Sequence, residues 1–292
     1  DAQGQLQWDR SCGGDITWMP GDMAWRIFLT ADGGFLLAGM SASEPGCCKT
    51  APLLGQGNRV NAWVVRYDAD GNKLWDQSYL PGALGYYTAS DFEATADGGY
   101  LSCGAGGFGE TGGFYGVVKF DVKGQQLWTK TIGCQSATAY SEPTRIRETA
   151  DGGFIVAGAS NLQPCADKTS PFFGGYDATN PYLGSDVWLI RCDPQQNKLW
   201  DKSYGGQSLD LALDLHPLAD GGFMVFGASQ SLAVTSPTKG TKTSPRYGGF
   251  DFWVVRIDAQ GNQLWDRSYG GVGDDFCTCA EPMPDGGWLL SG

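Results

Sequence analysis

Three short phrases recur along this chain in fixed order, and any fold proposed for it must honour that repeat. The first is Leu-Trp or its equivalent, carried by Trp8, Trp75, Trp128, Trp200 and Trp265. The second is Asp-Gly-Gly followed by an aromatic residue: Phe35, Tyr100, Phe154, Phe223 or Trp288. The third reads WVVRYD over 63–68, GVVKFD over 116–121, WLIRCD over 188–193 and WVVRID over 253–258. One cycle takes roughly 53 to 72 residues. Within a cycle, LALDLHPLADGGFMVFG (211–227) alternates apolar and polar residues around an Asp-Gly-Gly turn, a hairpin signal. DFWVVRID then turns through AQGN into QLWDRSY, which completes four short strands per unit. No apolar stripe at helical spacing lasts beyond two turns, and the 45 glycines suit many tight turns.

Four strands per unit, repeated radially, predict an all-β fold: a β-propeller of four-stranded antiparallel blades. A sandwich would be less regular and a solenoid would have shorter units. The opening DAQGQLQWDRSCGG (1–14) nearly repeats DAQGNQLWDRSYGG (258–271), yet has no blade of its own. The N-terminal strand is therefore expected to close the last blade. The expected layout is a single domain over 1–292, with a blade-closing outer strand over 5–11. Blades follow at about 22–79, 88–132, 141–204, 210–269 and an incomplete 275–292. That last blade lacks a WVVR strand, and Asp1 matches the aspartate that ends this phrase, so one loop and one strand are expected to be missing after Gly292. The ring then has five blades, or more if whole units are missing too.

Nine cysteines, an odd number, point to export with some of them paired, the alternative being ordinary buried thiols. Cys12 and Cys134 fall in crossings between blades, and Cys47, Cys48 and Cys165 in the loops that follow on the same side. The parallel placement suggests Cys12 with Cys47 or Cys48, and Cys134 with Cys165; an adjacent Cys47–Cys48 bridge is the rarer option. A start at Asp1 without Met is compatible with a removed leader. The net charge of −12 argues against nucleic acid, and no apolar run is long enough for a transmembrane segment.

The combined phrase DFWVVRIDAQGNQLWDRSYGG…DGGFMVFGAS, with the loop phrases DKTSPFFGGYD and TKTSPRYGGFD, resembles a large group of secreted β-propeller repeat proteins of Bacteroidota. Many of these end in a type IX secretion sorting domain. The resemblance spans the whole chain and implies an extracellular or outer-membrane surface location, with no shared enzymatic activity. A weaker resemblance is to the tryptophan repeats of quinoprotein dehydrogenases, which also read DA…G…LW. Those propellers are usually eight-bladed and carry a quinone with calcium, so the blade count departs from theirs.

Long loops on a rigid scaffold are where binding residues concentrate. Here they span about 40–61, 159–186 and 228–251, on the face opposite the tight hairpins. Lys49, Lys168 and Lys242 recur in the phrases CKTAP, DKTSP and TKTSP, with Phe172, Phe173, Tyr176, Arg246, Tyr247 and Phe250 after two of them. The functional reading is a ring of lysines and aromatic platforms gripping a glycan or peptide. The structural reading is a self-bonded turn that packs each loop. Inner-strand positions give an axial channel of alternating charge, Arg26, Asp91, Arg145 and Asp214. Inter-blade ion pairs are the structural reading of these; paired carboxylates at Asp91 and Asp214 are the catalytic one. Asp22, Asp210 and Asp275 recur at strand starts, where they are expected to bond amides of the preceding turn.

No cofactor is expected. DADGN (Asp68, Asp70, Asn72) is like part of a calcium loop, but the matching turns lack the second carboxylate. His216, the sole histidine, excludes a multi-histidine zinc site, and no serine stands in a nucleophile elbow. The expected function is a non-catalytic secreted or surface propeller that binds a protein or glycan, or packs in a larger surface assembly, through its long-loop face. The alternative is a secreted enzyme, quinone-dependent or polysaccharide-active, with axial carboxylates.

Overall fold

The structure, a computed structural model, describes residues 5, 6, 8–15, 21–55, 60–82, 84–108, 111–136, 140–175 and 184–292. Among them there is no helix, and hence none long and apolar enough to cross a membrane. The strands form four antiparallel four-stranded sheets and one hairpin. Sheet 1 is β1 (Asp22–Leu29), β2 (Phe35–Ser41), β3 (Asn61–Tyr67) and β4 (Lys73–Tyr79). Sheet 2 is β5 (Tyr86–Ala94), β6 (Tyr100–Phe108), β7 (Thr111–Phe120) and β8 (Gln126–Ser136). Sheet 3 is β9 (Ser141–Glu148), β10 (Phe154–Ser160), β11 (Asp186–Cys192) and β12 (Lys198–Tyr204). Sheet 4 is β13 (Asp210–Pro217), β14 (Phe223–Ser229), β15 (Asp251–Ile257) and β16 (Gln263–Tyr269). The hairpin is β17 (Cys279–Pro282) with β18 (Trp288–Ser291).

The chain divides into two compact units, Asp1–Glu110 with Gly116–Thr131, and Thr111–Tyr115 with Ile132–Gly292. In the first, Leu36, Ala38 and Val64 of sheet 1 pack on Tyr87, Phe92 and Phe120 of sheet 2. In the second, Ile155, Val187 and Leu189 of sheet 3 pack on Leu215, Val225 and Trp253 of sheet 4. The opposite face of sheet 4, with Met224, Phe226 and Val254, covers Cys277 and, in the terminal hairpin, Ala280. This two-sided packing explains the sequence of the middle strands. β10, β11 and β14 are buried at every position and carry central apolar runs, whereas the outer strands β4, β12 and β16 mix buried and exposed positions.

Two local devices repeat. Each Asp-Gly-Gly turn places its first glycine in the left-handed region, as at Gly221 (φ 81°), where a side chain would be strained. Its aspartate accepts the amide two residues on, as Asp220 does from Gly222 at 3.1 Å. The second device is a bulge near the middle of every full inner strand, between Ala24 and Arg26, Ala89 and Asp91, and Ala212 and Asp214, with its counterpart in β9. A β-carbon on the facing glycine would collide with the bulged strand, at 1.9 Å from Leu211 O in the case of Gly227. Bulges re-aim the next side chain, and the residues after them are Arg26, Asp91, Arg145 and Asp214.

The described residues of 5–11 carry no strand assignment. Trp8 stacks on Phe35, ring centroids 5.5 Å apart, and lies against the Gly71 turn. Trp75 lies against Gly124, and Trp200 against Gly261, in the same way.

Candidate functional site

The long loops of sheets 1, 3 and 4 are each fastened by one construction. Its first part is an indole on the third strand, Trp63, Trp188 or Trp253, donating from Nε1 to an aspartate on the fourth strand. That aspartate, Asp76, Asp201 or Asp266, also accepts from the loop. Asp201 takes Thr169 N at 3.0 Å, Thr169 Oγ1 at 2.5 Å, Ser170 N at 2.9 Å and Lys198 Nζ at 2.8 Å. Burial opposes the charge on these carboxyls, but the hydrogen bonds outweigh it and hold all three below the usual carboxylate range.

The second part is the lysine of each loop, for which the sequence left a ligand-gripping and a self-bonded reading. Lys49, Lys168 and Lys242 are buried, with at most 2% of their surface accessible. Lys168 Nζ donates to Ser170 O, Pro171 O and Ser203 Oγ at 2.9–3.1 Å, and Lys242 repeats this with Ser244 O, Pro245 O and Ser268 Oγ. Lys49 donates to Ser43 O and Ala51 O, both at 2.8 Å. Lys168 and Lys242 thus direct these three hydrogen bonds each into their own sheet and loop, and Lys49 two. Burial also lowers the basicity of all three, that of Lys168 to about 8.

The remaining loop residues split. Phe250 is buried and packs against Phe276 with tilted rings, centroids 4.5 Å apart, so it belongs to the packing. Phe172 and Phe173 are half-buried, and Phe173 N donates to Asp186 Oδ2. Arg246 and Tyr247 project into solvent, with Arg246 Nη1 donating to Gln230 O at 2.9 Å and Tyr247 N held by Asp251 Oδ2. Tyr176 lies outside the described residues. Of these loop residues, Arg246 and Tyr247 are therefore the ones that face solvent, and Phe172 and Phe173 do so in part.

The charged inner-strand residues form ion pairs. Arg26 Nη2 and Asp91 Oδ1 are 2.7 Å apart, and Asp91 is fully buried. Arg145 Nε and Arg147 Nη2 each lie 3.3 Å from Asp214 Oδ1, and the other oxygen of Asp214 meets His216 Nε2 at 3.2 Å and Ala280 N at 2.9 Å. Burial works against that charge, yet these donors keep the Asp214 carboxyl below its ordinary range. His216 makes edge contacts with Phe226 and Trp288, which also touch each other. Asp22, Asp210 and Asp275 accept the amides of Gly14, Gly206 and Gly271 in the preceding crossings, at 2.8–3.0 Å.

Asp210 has a further neighbour that the sequence did not reveal. Asp186 sits across Gly205 from it, fully buried, with Oδ1 unpartnered. Burial, reinforced by Asp210, drives the Asp186 carboxyl well above its ordinary range, and burial pushes Asp210 to about 6. Also unforeseen is the role of the basic residue in the third strand. Arg66, Lys119, Arg191 and Arg256 each reach the aspartate of their own sheet's Asp-Gly-Gly turn, Asp32, Asp97, Asp151 and Asp220. The signal was present in the repeat, since the basic residue and that aspartate recur together.

Two disulfides form, Cys12–Cys48 and Cys134–Cys165. Cys47 stays an exposed thiol, so neither Cys12–Cys47 nor Cys47–Cys48 is made; Cys279 is exposed too, and Cys103, Cys192 and Cys277 are buried thiols. The bridges point to an oxidising compartment. Among the described residues no group of three or more His, Cys, Asp or Glu side chains could hold a metal ion. In the calcium-like turn, Asp68 is engaged by its own loop: Oδ1 accepts Asp70 N and Asn72 N, and Oδ2 accepts Asn72 Nδ2.

No protein-family model matches the chain, and no curated protein matches it. Among solved structures, it is similar to a protein of unknown function from Bacteroides caccae, at 14% identity and a TM-score of 0.29, covering 87% of this chain and 86% of that one. It is also similar to a protein of unknown function from Dyadobacter fermentans, at 14% identity and a TM-score of 0.42, covering 84% of this chain and 65% of that one.

Proposed function

We propose that this chain is an exported, non-catalytic β-propeller that docks a partner protein at the cell surface through the loop face of sheets 3 and 4. The observation that carries the reading is the clasp. Buried lysines and buried aspartates fix the loops before any partner arrives, and a pre-ordered loop loses less entropy on binding. The side chains left outward, Arg246 and Tyr247, are of the types that dominate protein interfaces. The enzymatic alternative finds no support at the axial residues, because Asp91 and Asp214 are each tied to an arginine. Two disulfides, together with the repeat phrases shared with exported Bacteroidota proteins, support an extracellular or outer-membrane surface location.

Closure of five blades into one domain belongs to the same proposal. Phe92, Ile146, Leu215 and Ala280 occupy one inner-strand position and are all buried, whereas their counterpart Ile27 is 63% exposed. A cavity of about 260 Å³ lies on that side of sheet 1, with Trp8, Phe35, Trp63 and Tyr67 in its lining. Both features suit a preceding blade, and Trp8 occupies the position of an outer-strand tryptophan. Amide exchange across residues 5–11 tests closure: strand-like protection supports it, and free exchange refutes it.

The function is tested by pull-down from an envelope extract of the source organism, with a glycan array in parallel. The wild type should enrich a defined protein that Tyr247→Ala with Arg246→Ala fails to retain. Retention by the double variant, or glycan binding alone, refutes the protein-docking reading.

A further inference from the structure

Two buried carboxyls of the second unit are aimed at one point. A β-carbon on Gly205, in the crossing between sheets 3 and 4, would stand 2.3 Å from Asp210 Oδ2 and 3.0 Å from Asp186 Oδ1. Both side chains are fully buried. Asp210 is surrounded as an anion needs to be: Gly206 N and Ser231 Oγ donate to Oδ2 at 2.8 Å, and Ser229 Oγ donates to Oδ1. Asp186 is provided for on one side alone. Its Oδ2 accepts Phe173 N at 2.7 Å, but no donor reaches Oδ1.

Among the described residues no cation forms an ion pair with either carboxyl. Lys168 acts on Asp186 and Lys242 on Asp210 from a distance, while Nζ of each donates within its own loop and sheet. These lysines also face Asp201, and Asp251, Asp266 and Arg246. A divalent cation is another way to reconcile two carboxylates, but calcium takes about six to eight oxygens, and this pair leaves only Asp186 Oδ1 open. A proton is the simpler solution, since a buried carboxyl beside a like charge keeps its own.

Sheet 1 shows what the position needs. Asn61 starts β3 as Asp186 starts β11, opposite Ser41 and Ser160 respectively. The neutral Asn61 fastens its loop, with Oδ1 accepting Leu54 N and Nδ2 donating to Leu54 O. The residue standing across from it is Tyr87, whose N bonds Val60 O as Asp210 N bonds Ser185 O. A carboxyl at this strand start therefore goes with a carboxyl across the crossing, as Asp251 does with Asp275 about Gly270.

We propose that Asp186 is a proton-operated latch: a neutral acid with its proton on Oδ1, facing the Asp210 carboxylate, and with Oδ2 holding the sheet 3 loop at Phe173. In alkaline medium the proton passes to hydroxide, giving water and a second buried carboxylate. Two like charges about Gly205 then drive Asp186 outward, and the stretch 172–175 comes loose with it. Burial and Asp210 together hold the Asp186 carboxyl well above its ordinary range, in agreement with that direction. The latch belongs to the free protein and does not depend on what the loop face binds.

Hydrogen exchange on the 292-residue chain tests it. The protection factor of Phe173 N should fall about tenfold per pH unit above the pKa of the pair, while that of Leu54 N, held by Asn61, should stay constant. Asp186→Asn should abolish the fall. The folded pKa of Asp186 exceeds the unfolded value of about 3.9, so stability is lost as pH rises; the variant should have the higher urea midpoint at neutral pH and match the wild type near pH 4. The infrared band of protonated carboxyls at neutral pH should lose one carboxyl in the variant. Lys168 gives up its proton in the same alkaline range, at about 8, and the variant keeps Lys168. A loop that opens equally in Asp186→Asn makes Lys168 the switch and overturns the proposal. Lasting protection of Phe173 in the wild type, an unchanged infrared band, or a variant less stable at neutral pH also overturns it. Calcium that raises the midpoint of the wild type but not of the variant does so too, by giving the pair to a cation.

Discussion

Asp201→Ala should cost the protein about 2–6 kcal/mol, and the figure follows from which donors it strands. Of the groups that bond to Asp201, Thr169 and Lys198 reach solvent and can turn to water. Ser170 N and Trp188 Nε1 cannot, because Ser170 is 5% exposed and Trp188 is fully buried. A buried donor left without an acceptor costs about 1–3 kcal/mol, and there are two of them. The loss would take a large share of a stability of about 5–15 kcal/mol. Asp193 is the control. It also accepts a backbone amide and a side-chain amide, from Asn197, but at an exposed turn, so Asp193→Ala should do far less.

Urea unfolding followed by tryptophan fluorescence reads the loss, and limited trypsinolysis reads its location. Released from Asp201, the loop should be cut after Lys168 well before the rest of the chain. Acid adds a second readout. The folded carboxyl lies below its unfolded value of about 3.9, so its stabilisation is present above that pH and lost as pH falls toward the folded pKa. The gap between wild type and Asp201→Ala should therefore narrow below about pH 4. A variant within about 1 kcal/mol of wild type at pH 7, with Lys168 still protected, would refute the clasp as an energetic unit.

Lys242→Met keeps the apolar stem but abandons the carbonyls of Ser244 and Pro245, and should cost about 1–3 kcal/mol by calorimetry; an unchanged midpoint would mean the cage contributes nothing. Asp210 gives the opposite pH sign to Asp201: its folded pKa of about 6 exceeds the unfolded value of about 3.9, so its contribution is full below pH 4 and is lost as pH rises through 6. That loss is about 3 kcal/mol on the scale of the shift, and urea midpoints at pH 4 and pH 7 should converge in Asp210→Asn but not in the wild type. Peptide mapping without reduction should recover Cys12–Cys48 and Cys134–Cys165, with Cys47 alkylated at once. Recovery of a Cys12–Cys47 peptide would contradict the pairing, and Cys134→Ser with Cys165→Ser should cost about 2–4 kcal/mol.

The strand content was legible because alternation, Asp-Gly-Gly turns and phrase order all describe local chemistry. Pairing of Arg26 with Asp91 and of Arg145 with Asp214 was legible too, since opposite charges on successive inner strands leave few other partners. The loop lysines left two readings open in the sequence, because lysine in a polar loop reads as solvated, and only the carbonyls of Ser170 and Pro171, brought within 3.1 Å by the fold, make an interior site for it.

Sheet 2 shows that a closer reading of the repeat would have found the clasp. Thirteen residues separate Trp63 from Asp76, Trp188 from Asp201 and Trp253 from Asp266; the same interval in sheet 2 joins Gly116 to Thr129. Its loop, about 105–114, is also the one without a Lys-Thr phrase. Indole, carboxylate and lysine are thus lost together, and the Tyr87 ring fills the place where a side chain at 116 would stand. Co-loss of three residues far apart in sequence is what a single physical unit requires. An indole without its acceptor, or a buried carboxylate without its donors, costs more than having neither. A lysine kept or lost together with a buried aspartate serves the loop's shape, so under the proposed docking function recognition falls to residues that vary between otherwise matching loops. Phe172 and Phe173 in one and Arg246 and Tyr247 in the other meet that condition, standing at corresponding places after Lys-Thr-Ser-Pro.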